Sequence, residues 1–247
     1  MDEIKMDEIK KHEIEVLRIL NNESAPMGSG QLRKLLVQKG FKLSEATVGR
    51  ILSEMDQKNL TIKYGYRGRL ISERGRELLE AIDHNTQLNL NSARFIRILN
   101  SQRQEDLIDM LVARRAIERE LASLAAVKAT DAEISLMEAV LREQERLAAQ
   151  NEMSAEQDAR FHRLIATAAK NKVLAAALDL IRQGRQMSMI LEYIRREVRG
   201  TLAVEHARIL RAIINRDPAG AEQAMVDHIE SLMSDVHKYW RMTRLEM

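Results

Sequence analysis

Four side chains in the second half of the chain are of types that bind a divalent cation. Asp158 and His162 are four residues apart, which places them on one face of a helix together with the apolar residues of that segment. His206 and His228 each share a helical stripe with leucine, isoleucine, alanine or methionine residues. We therefore expect all four side chains to point into a helical core, where one cation would satisfy a carboxylate and three neutral imidazoles together.

The donor set leaves open what such a site does. Each histidine taken alone is more simply a core imidazole satisfied by a hydrogen bond, and it is the four inward positions together that favour a metal. Three imidazoles and one carboxylate suit zinc, nickel, iron or manganese. A cation with an open position can also activate water, so a metal-dependent hydrolase with an accessory nucleic-acid-binding module is the alternative function. Against it, no second carboxylate is placed as an obvious general base.

The composition excludes several other kinds of site and of protein. The 247 residues contain no cysteine, which rules out disulfide scaffolds, thiolate nucleophiles and Cys-ligated clusters. No apolar run is long enough to cross a bilayer, and the charged N-terminus does not have the pattern of a signal peptide. Only two prolines and 3% aromatic residues favour helices over a β-sandwich or a barrel. We expect a soluble, cytoplasmic and mainly helical protein.

The elements that must position the four ligands lie in the segment from residue 106 onward. The apolar spacing of this segment is helical, and several of its helices begin with good N-terminal caps. Thr130 with Glu133 and Ser154 with Gln157 are predicted capping boxes, and Asp217 precedes an N1 proline. We predict a bundle of six or seven helices over residues 106–247. A polar stretch over residues 83–105 is the predicted linker, in which the apolar run 95–99 fits neither helix nor strand clearly.

Residues 1–82 show a different order of elements. Apolar spacing predicts helices over residues 8–22 and 31–39 and a third one that follows a Ser44 cap and continues to residue 59. Two short strands, over residues 60–64 and 69–72, flank a turn that contains Gly65 and Gly68. Three helices followed by a β-hairpin predict a winged helix-turn-helix.

The charge of the chain is concentrated in this first region. The whole sequence has a formal net charge of only +2, whereas residues 28–76 hold 11 lysines and arginines against four acidic residues. A basic winged helix is typical of a protein that binds duplex DNA. The predicted DNA-binding residues lie off the apolar stripe of the third helix or in the wing: Ser44, Glu45, Thr47, Arg50, Lys63, Arg67 and Arg69. The alternative for these residues is a solvated helix face.

Two stretches of sequence resemble known families. The run 44–52, with the residues around Gly28 and Gly68, resembles the winged helix of ribonuclease R and of archaeal nitrogen-regulation repressors, and partly the recognition helix of GntR regulators. The motifs at residues 158–166, 171–174, 205–213 and 217–228, with 114–126 upstream, resemble the FCD ligand-binding domain of FadR-subfamily GntR regulators.

The resemblance to the FCD domain carries specific expectations. It implies that Asp158, His162, His206 and His228 hold the divalent ion. It also implies that a small organic acid completes the coordination near an arginine of the first helix of that domain, Arg114 or the adjacent Arg115. We accordingly expect a ligand-responsive transcription regulator, a repressor, that binds operator DNA as a homodimer and is not an enzyme.

Overall fold

The computed structural model describes residues 10–101, 103–150, 152, 154–182, 185–198 and 202–245. The described chain is mainly helical, as predicted, and forms two compact units, residues 1–94 and 95–247. The duplicated pentapeptide that covers residues 1–10 of the sequence falls almost entirely outside the described residues. None of the described helices is both long enough and apolar enough to span a bilayer.

The first unit has the predicted order of elements. Three helices lead into an antiparallel hairpin and a long fourth helix: α1 (Lys11–Asn21), α2 (Ser29–Gln38), α3 (Glu45–Gln57), β1 (Thr61–Lys63), β2 (Arg69–Ile71) and α4 (Glu73–Leu99). Ser44 caps α3 by accepting a hydrogen bond from the Thr47 amide at 3.1 Å, as its position predicts. The helices enclose one core, in which Leu17, Leu32, Leu52 and Leu60 are inaccessible to solvent.

The hairpin is held against the first unit through its backbone. In the strand register Ile62 lies opposite Leu70, and Met27 pairs with Arg69 through two backbone hydrogen bonds of 2.9 Å. Gly68 has a φ of +121°, and a β-carbon there would lie 2.2 Å from the Met27 carbonyl carbon. Only glycine fits this position, so the wing has a fixed attachment at its base.

The second unit is a bundle of seven helices within the described residues. They are α5 (Gln104–Lys128), α6 (Asp131–Ala149), α7 (Ala155–Ala168), α8 (Lys172–Arg182), α9 (Arg185–Glu197), α10 (Leu202–Ile214) and α11 (Pro218–Leu245). The long helices α5 and α11 pack along each other and α10 packs on α11. The core between the helices includes Leu107, Phe161, Ile209 and Met225, all fully buried.

Two local expectations differ from the structure. The polar stretch predicted as a linker is largely helical, because α4 continues to Leu99 through a segment that contains neither glycine nor proline to end it. The capping box predicted at Ser154 is wrong: the Ser154 side chain makes no capping bond, and the Glu192 carboxylate of α9 accepts the Ser154 amide at 2.5 Å instead. The capping box at Thr130 and the N-cap at Asp217 form as predicted.

Candidate metal centre and nucleic-acid interface

Three helices of the second unit bring the four predicted ligands together. Asp158 and His162 lie one turn apart on α7, His206 lies on α10 and His228 on α11. One ligand atom from each side chain lies within 4.8 Å of those of the other three. The three imidazole rings are almost fully buried, and their centroids are 4.7–5.2 Å apart. The four residues therefore form one compact cluster in the bundle core.

Each histidine of the cluster turns its Nδ1 atom toward an acceptor on another helix. His162 Nδ1 is in contact with a Glu118 carboxylate oxygen, His206 Nδ1 is 2.9 Å from Gln144 Oε1, and His228 Nδ1 is 2.8 Å from Glu205 Oε2. An acceptor at Nδ1 fixes the tautomer that carries the proton there and leaves the lone pair on Nε2.

The Nε2 atoms of all three rings lack a partner in the described part of the chain. Those of His162, His206 and His228 are buried and have no hydrogen-bond partner among the described residues. Asp158 Oδ1 lies 3.6 Å from the first of them and 3.5 Å from the second, too far for a hydrogen bond. Three convergent buried lone pairs beside a carboxylate oxygen are costly when nothing binds them, and they fit the donor set of a divalent cation.

The electrostatics of the cluster favour the protonation states that a metal requires. Burial holds the pKa of His206 and of His228 well below the usual value, and neighbouring histidines lower both further, so both rings are neutral at pH 7. Burial alone would raise the pKa of Asp158, but the Arg182 guanidinium and His162 lower it by more, so its pKa lies well below the usual range. The cluster thus presents a carboxylate at Asp158 and neutral imidazoles at His206 and His228.

Arg114 and Arg115 have different surroundings in the structure. Arg114 is 4% exposed, and its Nε donates to Glu118 Oε1 at 2.5 Å. It also lines a small cavity that reaches Asp158. Arg115 does not line this cavity: it forms a solvent-exposed ion pair of 2.7 Å with Glu230 on α11. Of the two candidates for binding an acid, only Arg114 stands beside the cluster.

The residues that support the ligands are not among those predicted from the sequence. Arg182 on α8 donates to Asp158 Oδ2 at 2.5 Å, and Glu118 lies between Arg114, His162 and Arg182. Arg195 donates to Glu205, Ser231 and Asp235 in a second buried network beside His228. Glu118 follows Arg114 by four residues, a spacing that predicts an ion pair on one helix face. No such local spacing indicates the roles of Gln144, Arg182 and Arg195.

In the first unit, three of the seven predicted DNA-binding residues are solvent-exposed cations. Arg50 on α3 has 74% of its side chain exposed, and its nearest carboxylate, on Glu54, is 3.9 Å away. Lys63 and Arg67, at the edge and the turn of the wing, are exposed and make no ion pair with described residues. These three cations are available to phosphate groups.

The other four predicted residues make contacts within the unit. Ser44 and Thr47 bond to each other at the start of α3, and the Glu45 carboxylate accepts from Ser29 Oγ at 3.2 Å. Arg69 is only 17% exposed and pairs with Asp56 at 2.9 Å. That pair fixes the base of the wing, so the Arg69 guanidinium faces its own unit.

Comparisons with known proteins identify both regions. Residues 109–231 match the FCD domain, and residues 14–79 match the ribonuclease R winged-helix domain. A putative L-lactate dehydrogenase operon regulatory protein of Escherichia coli K12 is 30% identical over 193 residues, 72% of each protein. HTH-type transcriptional regulator LutR of Bacillus subtilis is 28% identical over 143 residues, 56% of this chain and 65% of LutR.

The first region also matches an archaeal protein. It is 40% identical over 75 residues to the global nitrogen regulator NrpR of Methanocaldococcus jannaschii, which is 30% of this chain and 14% of NrpR. The chain therefore spans a small part of NrpR and just under two thirds of LutR.

The FCD domain, the winged helix and these relatives define a class of two-part transcription regulators. The chain belongs to the GntR family and is of the FadR type, with an N-terminal winged helix. The family and these relatives point to a transcription regulator, so the alternative of a metal-dependent hydrolase is not retained.

Proposed function

We propose that this protein is an operator-binding repressor whose helical unit binds a divalent metal ion and a small carboxylic acid. Asp158, His162, His206 and His228 are its metal ligands. The observation that carries the proposal is the convergence of three buried Nε2 atoms without partners on the Asp158 carboxylate. Zinc, nickel, iron and manganese all suit this donor set.

The acid would bind between the metal position and Arg114. A bound cation would neutralise the cluster and offer an open position to a carboxylate oxygen. Arg114 Nη2 is buried without a hydrogen-bond partner among the described residues, although Nε of the same side chain is paired with Glu118. A second carboxylate oxygen would satisfy it through a charge-assisted hydrogen bond.

Operator binding is assigned to α3 and the wing of the first unit. Arg50 would enter the major groove from α3, while Lys63 and Arg67 of the wing would contact phosphates or the minor groove. We further propose a homodimer, because two winged helices related by two-fold symmetry can read two half-sites. Light scattering at working concentration should give twice the chain mass, and a monomer would contradict this part of the proposal.

The regulatory proposal is tested with the metal-loaded protein and a labelled duplex from the promoter beside its own gene. We expect that one acid from a panel of acetate, lactate, succinate and citrate weakens binding at least about tenfold, which is a typical coupling between two sites. His228→Ala should bind the duplex and lose the response to the acid. His237→Ala, which removes an exposed histidine outside the cluster, should respond like the wild type. An unchanged response in His228→Ala would overturn the proposal.

A further inference from the structure

The second half of helix α4 is exposed on every face. Each residue from 83 to 98 is exposed to solvent, and the large apolar side chains among them have 39–58% of their surface accessible: Leu88, Leu90, Phe95, Ile96 and Ile98. Residues 84–104 include no acidic residue, so this half of the helix gains no ion pairs along its own surface. A helical segment of about 15 residues is marginal in water by itself, and we therefore expect another helix to cover it.

The residues of α4 follow a heptad pattern. Steps of three and four residues alternate along one line of the helix: Leu78, Ala81, Asn85, Leu88, Ser92, Phe95 and Leu99. Leu78 packs on the core of the first unit and Leu99 is buried in the core of the second, whereas the positions from 81 to 95 on this line are exposed. Such a repeat forms the seam of a two-stranded coiled coil, with Leu88 and Phe95 at d positions and Asn85 at an a position.

The arginines of this segment lie away from the seam. Arg94 and Arg97 fall at c and f positions of the same heptad, which face solvent in a coiled coil. Ile96 and Ile98 occupy the e and g positions beside Phe95 and widen the apolar stripe. Leu90 is at an f position, opposite the seam. Two copies of the segment side by side therefore bring apolar side chains together and no like charges.

We infer that α4 pairs with α4 of a second copy of this chain, as a parallel coiled coil in register over residues 81–95. This inference rests on the proposed homodimer and assigns one of its contact surfaces. A parallel pair places both winged helices at the same end, as two half-sites require. In register, the two Asn85 amides face each other, and an asparagine at one a position favours a two-stranded pair in a single register. A wholly apolar helix would instead bury that amide against hydrocarbon.

Disulfide cross-linking of the full chain tests the pairing. The chain contains no cysteine, so a single introduced thiol reports on a single position. Ala81→Cys and Leu88→Cys are placed at d positions, where the two helices come closest, and a disulfide requires Cα atoms about 6 Å apart. Leu90→Cys is the matched control, because Leu90 is two residues away and is exposed to a similar extent.

The cross-linking is followed on non-reducing gels with oxidised glutathione as the oxidant. We expect Ala81→Cys and Leu88→Cys to form covalent dimers at least about tenfold faster than Leu90→Cys, because pairing raises the effective concentration of facing thiols. Rapid cross-linking at both d positions is specific to the parallel register, since an antiparallel two-fold pair brings only one position opposite itself.

A charge at the seam gives an independent measurement. Leu88 and Leu90 are both exposed in the single chain, so an aspartate at either position leaves the fold of that chain unchanged. Leu88→Asp sets two carboxylates against each other in the pair, and we expect its dimer dissociation constant, measured by sedimentation equilibrium, to rise at least about tenfold. Leu90→Asp should dissociate like the wild type.

The outcomes separate this inference from the proposed function. Equal cross-linking rates at positions 88 and 90, or equal dissociation constants for the two aspartate variants, overturn the pairing of α4. Rapid cross-linking at only one of positions 81 and 88 overturns the parallel register. If the wild type is a dimer by light scattering and Leu88→Cys does not cross-link, the proposed homodimer stands and only its α4 surface falls. A monomeric wild type overturns both.

Discussion

The arginines of the two candidate sites lie in opposite environments. In the first unit Arg50 and Arg67 extend into solvent, where a charge costs little and remains available to a partner. In the second unit Arg114 and Arg195 are 4% and 3% exposed, and each is held by carboxylates from its own unit. The near-neutral total charge is therefore the sum of an exposed basic surface and a set of buried ion pairs. Arginines remain available to a partner in the first region, and in the second they hold the side chains of the site in place.

The difference has an energetic consequence. A buried charge must keep its partner, because an unpaired charge in the interior is far more costly than one at the surface. Glu118 illustrates this: burial would raise its pKa, but Arg114, His162 and Arg182 lower it by more, so it stays ionised. Substitutions in the second unit should therefore affect stability first, and substitutions on the basic surface should affect binding first.

The largest effect is expected from Glu118→Ala. This change leaves the buried Arg114 guanidinium without its partner and removes the acceptor of His162 Nδ1. We expect a loss of about 3–5 kcal/mol in the free energy of unfolding, measured by urea denaturation. Glu138→Ala, which removes an exposed partner of Arg142, is the control and should change stability by less than about 1 kcal/mol. Similar losses for both variants would contradict the contrast between buried and exposed charges.

Metal removal should act on one unit alone. A ligand present at about a thousand times its dissociation constant stabilises the state that binds it by about 4 kcal/mol, so chelation should remove a stabilisation of this order. We expect faster amide hydrogen exchange in α7, α10 and α11 after chelation and unchanged exchange in α2 and α3. His228→Ala should show the fast exchange with or without the chelator. Equal changes in both units would show that the metal is not confined to the cluster.

A smaller effect is expected from the basic surface. Each phosphate contact contributes about 0.9 to the slope of log affinity against log salt, so Arg50→Ala and Arg67→Ala should each reduce that slope by about 1. Fluorescence anisotropy with the promoter duplex measures it. Arg208→Ala removes an exposed arginine of the second unit, which pairs with Asp227, and should leave the slope unchanged. A slope that is insensitive to Arg50 and Arg67 would remove them from the interface.

The smallest effect concerns the cap of the third helix. Ser44→Ala removes the acceptor of the Thr47 amide and should cost about 1 kcal/mol of stability. Ser53→Ala, at an exposed position within α3, is the matched control and should cost nothing measurable. If the cap variant loses DNA affinity without losing stability, Ser44 acts on the DNA directly rather than through the helix.

The sequence predicted the order of the elements well, because helical spacing, Gly68 in the turn and the caps at Ser44, Thr130 and Asp217 are local signals. It also placed Asp158 and His162 on one face, since that follows from a spacing of four. It could not predict that Glu192 replaces the Ser154 cap, because that contact joins residues 38 positions apart. The supports at Gln144, Arg182 and Arg195 depend on packing between helices in the same way.

The proposed function depends most on the cluster of Asp158, His162, His206 and His228. Elemental analysis of protein purified without added metal tests it directly, with wild type compared to the double variant His206→Ala plus His228→Ala. We expect about one divalent ion per wild-type chain and almost none in the double variant, because the three-imidazole set is then reduced to one. Equal metal content in the two proteins, or a metal-free wild type that takes up none when it is supplied, would contradict it.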